Sequence, residues 1–261
     1  MDQQPFRLDG KTAVVTGGGS GIGEAMALRF GAQGAVVRIL DLHAEKSQAV
    51  AKKIVDAGGN ASVHVCDVSH HTQTAETFAT LFALGRVNIL VNNAGISHIG
   101  TLEGTSEEDF DRVFRVNVKG MYNCMHAAIG HMRVNNGGVI LNMASIAASS
   151  GLADRFAYSM SKGAVLAMTY TVAKDYIQNN IRCNCISPAR VHTPFVDGYL
   201  QKNYPGHESE MFEKLAKSSP IGRMAKPEEV ASLALFLCSE EASFITGVDY
   251  PLDGGYFNLR G

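Results

Sequence analysis

The sequence predicts an α/β chain folded as one doubly wound parallel sheet with helices on both faces. Three observations carry this reading. Short β-rich runs alternate with helical stretches from one end of the 261 residues to the other. The second such run, 35–40, is apolar but for Arg38, as suits a parallel strand covered on both sides. No internal repeat or low-complexity linker divides the chain, so 1–261 reads as a single domain.

The elements follow in order. A strand at 12–16 ends in glycines, and 24–33 is helical in composition. The strand at 35–40 precedes a helix at 44–57, which stops at Gly58-Gly59. Further strands read at 61–66, 89–92, 138–143 and 181–186. Long helices read at 106–132, with a break, and at 155–179. The stretch 194–220 differs in character, carrying Tyr199, Tyr204, Pro205, Gly206 and His207 after a predicted strand. Ligands of open α/β sheets bind beyond the carboxyl ends of the strands, so 194–220 is a candidate substrate lid. The alternative is a surface excursion used in subunit packing.

Composition narrows the class. The chain is 46% hydrophobic and 18% charged, as a globular protein should be. A formal charge of −2 makes no electrostatic case for nucleic acid or an anionic membrane. No apolar run approaches the roughly 20 residues that span a bilayer. Met1-Asp2-Gln3-Gln4-Pro5 lacks the basic and apolar regions of a secretory leader, so the cytoplasm is expected. Five cysteines without a disulfide spacing fit reduced thiols, and Cys183-Asn184-Cys185 reads as core. His70-His71 reads as an exposed loop pair, and no metal is expected.

Chemistry concentrates at a few places. Tyr158 and Lys162 stand four residues apart and share one helix face, with Ser145 thirteen residues upstream. An ammonium near a phenol favours ionisation of a group whose unperturbed pKa is about 10. Such a pair alone often meets only solvent. Thr16-Gly17-Gly18-Gly19-Ser20-Gly21-Ile22-Gly23 lies between a strand and a helix. Glycines there permit tight turns and close approach of a diphosphate, and the helix N terminus adds amide donors. A turn alone would explain the glycines equally well. Asp41 follows the second strand, eighteen residues beyond Gly23. Its carboxylate can accept from both ribose hydroxyls of an adenosine and would repel a 2′-phosphate, which favours NAD over NADP. No Arg or Lys stands at Gly18, Gly19, Ser20 or Leu42 to neutralise such a phosphate, although His43 is close. Asp67 and Val68 can meet the adenine. Asn92, Asn93, Ala94 and Gly95 can line the cofactor.

Together, in this order, the glycine segment, Asn92–Gly95, Asn117, Ser145, and Tyr158 with Lys162 resemble the classical short-chain dehydrogenases/reductases over nearly the whole length. The resemblance implies a Rossmann-like dinucleotide-binding and catalytic domain, hydride transfer with a nicotinamide cofactor, and a homotetramer. It implies that Tyr158 moves the hydroxyl proton as hydride passes between the same carbon and NAD. Lys162 would lower the tyrosine pKa and hold the nicotinamide ribose, and Ser145 would bond the reacting oxygen. Asn117 would hold a water linking Lys162 to solvent. Pro188, Val191 and Thr193 would flank the nicotinamide, Thr193 near its carboxamide. The family commonly has Pro-Gly where this chain has Pro188-Ala189, and Ala restricts that backbone.

Arg155 precedes Tyr158 by one helical turn and can offer a planar fork to a carboxylate, with Arg190 a second contact and His98 a further pocket residue. A solvated arginine or an intersubunit ion pair is the alternative. Arg155-Phe156-Ala157-Tyr158 and the 181–188 segment resemble the subgroup of cytosolic type 2 3-hydroxybutyrate dehydrogenase and 2-keto-3-deoxy-L-fuconate dehydrogenase. In that subgroup an arginine at this position faces a substrate carboxylate. The expected function is an NAD-dependent oxidoreductase of a small, sugar-derived hydroxy acid. A neutral sugar or polyol is the alternative within the same chemistry. A 3-oxoacyl-carrier reductase and a non-catalytic nucleotide-binding regulatory module are less favoured.

Overall fold

Period-two alternation along each strand sorts the core into two layers. Ala13, Val15, Val37, Ile39, Ile89, Val91, Leu141 and Met143 pack to one side of the sheet. Val14, Leu40, Leu90, Ile140, Cys183 and Cys185 pack to the other. These assignments come from the computed structural model of the chain, which describes residues 5–259. Residues 1–4, which carry most of the leader reading, and 260–261 lie outside the described residues.

In chain order the elements are β1 (Thr12–Thr16), α1 (Gly21–Ala32), β2 (Val36–Asp41), α2 (Ala44–Asp56), β3 (Asn60–Val65), α3 (His71–Ala83) and β4 (Ile89–Asn92). Then come α4 (Glu107–Phe114), α5 (Gly120–Val134), β5 (Gly138–Met143), α6 (Phe156–Tyr176) and β6 (Ile181–Pro188). The last are α7 (Pro194–Asn203), α8 (Glu208–Ala216), α9 (Pro227–Cys238) and β7 (Asp249–Leu252). The seven strands pair in the order β3-β2-β1-β4-β5-β6-β7, all parallel. The order reverses between β1 and β4, and the crevice at such a switch point is where an α/β sheet takes its ligand.

The predicted break within 106–132 is a π-helical turn, Arg115–Lys119, joining α4 to α5. It carries Asn117, and wide turns of this kind favour functional positions. The helix predicted at 155–179 is α6 followed by a 3₁₀ turn, closed by Asn180 in the left-handed region at φ +62°. The 194–220 segment forms α7 and α8. Three elements escaped the sequence reading. Helix α3 is rich in threonine and buries only Thr74, Phe78 and Leu81. In α9 the run Leu233–Cys238 is apolar throughout, which hides helical periodicity. Strand β7 contains Pro251, tolerated because β7 is an edge strand. His71, read with His70 as part of a loop, instead opens α3 and stacks on Tyr122 with ring centroids 6.2 Å apart.

Candidate active site

The glycine segment crosses from β1 into α1 under two backbone constraints. Gly17 (φ +65°) and Gly21 (φ +56°) occupy the left-handed region. A Cβ on Gly23 would lie 2.0 Å from the carbonyl oxygen of Gly17, so only glycine lets the helix begin this close to the strand. Thr16 Oγ1 accepts from the amides of Asn93 and Ala94, both at 3.0 Å. Asn93 Nδ2 donates back to the carbonyls of Thr16 (3.0 Å) and Gly17 (3.1 Å). The loop and the 92–95 segment are therefore one unit across the switch point. Thr16, present in the motif but given no role from sequence, is its hinge pin. Ser20 is exposed at the N-cap of α1, while Ile22 packs inward against the core. This cradle, with the α1 N terminus at its base, fits a dinucleotide diphosphate.

Asp41 ends β2 beside that loop. Its Oδ2 accepts from the Gly19 amide and its Oδ1 from the His43 amide, each at 2.9 Å. Asp67 Oδ1 accepts from the Ser69 amide (2.9 Å), and Val68 is buried with its carbonyl bonded by Thr74 and Asn123. On the opposite flank Pro188 is buried at the end of β6. Ala189 donates to the Leu252 carbonyl at 3.0 Å and is not among the residues of positive φ. The Pro-Ala pair therefore imposes no backbone strain, because β7 pairing holds Ala189 in an ordinary conformation. Val191 is buried and bridged to Ala225. Thr193 caps α7, and its Cγ2 would lie 3.4 Å from a Cβ on Gly21, which closes the cradle from the β6 side.

The reacting end is built on α6 and the loop after β5. Lys162 is buried, and Nζ donates to the Met143 carbonyl at 2.6 Å while standing 5.8 Å from the Tyr158 ring centroid. Burial brings the lysine pKa down to about 8. Burial pushes the half-buried Tyr158 phenol up, against a lowering pull from the Ser145 hydrogen bond and the Arg155 charge. Lys162, held by that carbonyl, thus stands beside the phenol together with Ser145 and Arg155, both of which favour its ionised form. Ser145 Oγ also accepts from the Ala147 amide at 3.1 Å, which orients it.

Asn117 is buried and fully engaged. Its Oδ1 accepts from the Ile96 amide (2.8 Å), and Nδ2 donates to the Ile96 carbonyl (2.9 Å) and to Ser161 Oγ (3.0 Å). Ser161 Oγ donates to the Tyr158 carbonyl at 2.7 Å. Gly95 lies against it, since a Cβ there would come within 3.2 Å of Asn117 Oδ1. The amide thus pins the 95–96 backbone to α6. Ser161, between Tyr158 and Lys162 in sequence, drew no assignment beforehand; its spacing of three from Tyr158 was the available signal.

Arg155 is the N-cap of α6, and its backbone bridges Gly100. Arg190 follows β6 and donates from Nε to Ser218 Oγ at 3.1 Å. The two are close enough that burial and the Arg155 charge both push the Arg190 pKa down. Burial and Tyr204 push the Tyr199 phenol on α7 up, and both guanidiniums oppose them. The Arg155 charge thus reaches Tyr158, Arg190 and Tyr199, which links α7 of the lid candidate to the start of α6. His98 lies against Gly100, the bridge partner of Arg155, with Nε2 facing Thr105 Oγ1 at 3.5 Å and Nδ1 facing Asp109 Oδ1 at 3.7 Å. All five thiols are buried, and burial pushes Cys183 and Cys238 up to about 12.

A family model described as Enoyl-(Acyl carrier protein) reductase matches residues 17–257. D-threitol dehydrogenase of Mycolicibacterium smegmatis is 37% identical over 255 residues, covering 96% of this chain and 94% of the relative. Dehydrogenase/reductase SDR family member 6 of Danio rerio is 37% identical over 251 residues, covering 96% and 98%. The structure of L-sorbose reductase from Gluconobacter frateurii complexed with NADPH and L-sorbose superposes with a TM-score of 0.93 at 29% identity, covering 98% of this chain and all of the other.

Proposed function

We propose that this chain, which belongs to the short-chain dehydrogenase/reductase family, is an NAD-dependent dehydrogenase of a small, sugar-derived hydroxy acid. Its membership makes it an oxidoreductase working between an alcohol and a ketone with a nicotinamide dinucleotide. The acid and the choice of NAD are our reading. One observation carries the acid: the Arg155 charge acts on both Tyr158 and Arg190, and among the described residues neither arginine is ion-paired to a carboxylate. Two guanidiniums held near each other without an anion repel, and a substrate carboxylate relieves that repulsion.

The cradle from Gly17 to Gly23 would hold the diphosphate, with Asp41 taking the adenosine ribose. Asp67 and Val68 would lie at the adenine, and Asn93, Ala94, Gly95, Pro188, Val191 and Thr193 around the nicotinamide half. Bound there, NAD supplies the two-electron acceptor. Tyr158 takes the hydroxyl proton in oxidation and returns it in reduction. Ser145 donates to the reacting oxygen, and its oriented hydroxyl stabilises charge developing there. Lys162 keeps two N–H donors beyond the one given to Met143, enough for a ribose hydroxyl pair. Because the Asn117 side chain is committed, the backbone of its widened turn is the place for a relay water.

Arg155→Ala is expected to raise KM for hydroxy acids at least tenfold and leave neutral polyols within twofold. Equal changes for both classes would remove the acid reading. A neutral sugar or polyol is the second reading, favoured by the threitol and sorbose enzymes among the relatives. A screen of sugar acids, short hydroxy acids and polyols, following NADH and NADPH formation separately, decides between them and tests the cofactor. Exposed Phe114, Tyr122, Phe156 and Tyr170 on α4, α5 and α6 support a homotetramer, measurable by sedimentation. No helix among the described residues is long and apolar enough to cross a membrane, and we place the enzyme in the cytoplasm.

A further inference from the structure

Behind the glycine loop, the first turns of α2 hold a hydroxyl with no partner. Ser47 is fully buried at 0% exposure, and its Oγ bonds nothing among the described residues. Buried hydroxyls are satisfied in the large majority of cases, and an orphan costs stability that alanine would recover, with better helix propensity. Packing alone therefore gives no reason for a serine here.

Its neighbours supply one. A Cβ built on Gly19 would lie 2.7 Å from Ser47 Oγ and 3.0 Å from Asp41 Oδ2, so hydroxyl and carboxylate flank the same glycine. Asp41 has one amide on each oxygen, and the amide on Oδ2 is that of Gly19. A ribose oxygen that takes the Gly19 amide as its own donor would leave Oδ2 without a donor from the protein. A carboxylate oxygen accepts more than one hydrogen bond, and a serine hydroxyl reorients by rotation about a single bond.

We propose that Ser47 is a positioning residue for adenosine-ribose recognition, a reserve donor that takes Asp41 Oδ2 when the Gly19 amide turns to the ribose. Ser47 never touches the cofactor; it keeps the Asp41 carboxylate aimed while its front donor is exchanged. The inference rests on the NAD reading of Asp41.

NADH binding is read by its fluorescence and by calorimetry, independently of turnover. Ser47→Ala is expected to weaken NADH binding about tenfold, while the melting temperature of the cofactor-free protein stays level or rises. In an Asp41→Ala background the same substitution should have no further effect. Unchanged NADH affinity in Ser47→Ala would overturn the inference. So would an equal loss in both backgrounds, or a fall in melting temperature alongside the affinity, each of which marks a packing role. Wild-type protein binding NADPH more tightly than NADH would overturn the NAD reading and this inference together, and only that result strikes both.

Discussion

Lys162 Nζ donates a 2.6 Å hydrogen bond to the carbonyl of Met143, the last residue of β5 and two positions before Ser145. The contact ties α6 to the strand end from which the Ser145 loop departs. It also buries an ammonium whose pKa falls to about 8. A lysine held below its unfolded value weakens the fold while the unfolded chain binds its proton more tightly. That cost is complete below about pH 8 and fades as pH rises toward the unfolded value near 10.4.

Lys162→Met is therefore expected to raise the melting temperature of the cofactor-free protein by several degrees at pH 7. The gain should shrink as melts are recorded at pH 8, 9 and 10. Turnover should fall by at least about 100-fold, on the scale of a lost acid/base partner. A variant less stable than wild type at pH 7 would show that the ammonium is not held at a cost.

Tyr158→Phe should lower kcat about 1,000-fold or more with NADH affinity within threefold of wild type. Ser145→Ala removes the hydrogen bond that opposes the upward push of burial on the phenol. Alcohol oxidation needs the ionised phenol, so the rising limb of the pH–rate profile should move to higher pH. The rate itself should drop about 10²- to 10³-fold. A limb that stays in place would remove Ser145 from the tuning of Tyr158.

Gly23→Ala forces a Cβ to within 2.0 Å of the Gly17 carbonyl oxygen, which Asn93 Nδ2 holds in place. Loss of NADH binding by more than tenfold and a lower melting temperature are expected. Gly198→Ala on α7 meets nothing within 4 Å and serves as the comparison. It should be neutral, or stabilising by up to about 1 kcal/mol. NADH titration and thermal melts of the two variants side by side give the answer.

Asn117→Ala strips partners from both the amide and the carbonyl of Ile96. Chemical denaturation should show a loss of about 2 kcal/mol or more. Ser161→Ala, which removes a hydroxyl linking Asn117 to the Tyr158 carbonyl, should cost about 1 kcal/mol. Equal stability of wild type and Asn117→Ala would mean the π-helical turn holds itself.

Much of this was legible beforehand because local chemistry repeats locally. The glycine turn, the strand–helix alternation and the Tyr158–Lys162 spacing each depend on neighbours a few residues away. Even the interruption in the helix carrying Asn117 was readable. Helix α9 was not, since a uniformly apolar run leaves no period to read, and β7 was masked by its proline. The partners of His98, Thr105 and Asp109, were not readable either, since they reach it across a loop.

By itself the sequence determined the fold class and the oxidoreductase family, because those follow from pattern and from residue type at fixed spacing. Tertiary structure decided what each group faces. It turned the Lys162 ammonium onto the Met143 carbonyl and brought Ser145 and Arg155 to Tyr158. It brought Arg190 and Tyr199 within reach of the Arg155 charge, and set Ser47 and Asp41 against the same Gly19. Burial and long-range contact set those outcomes, since desolvation and charge act through space and not along the chain.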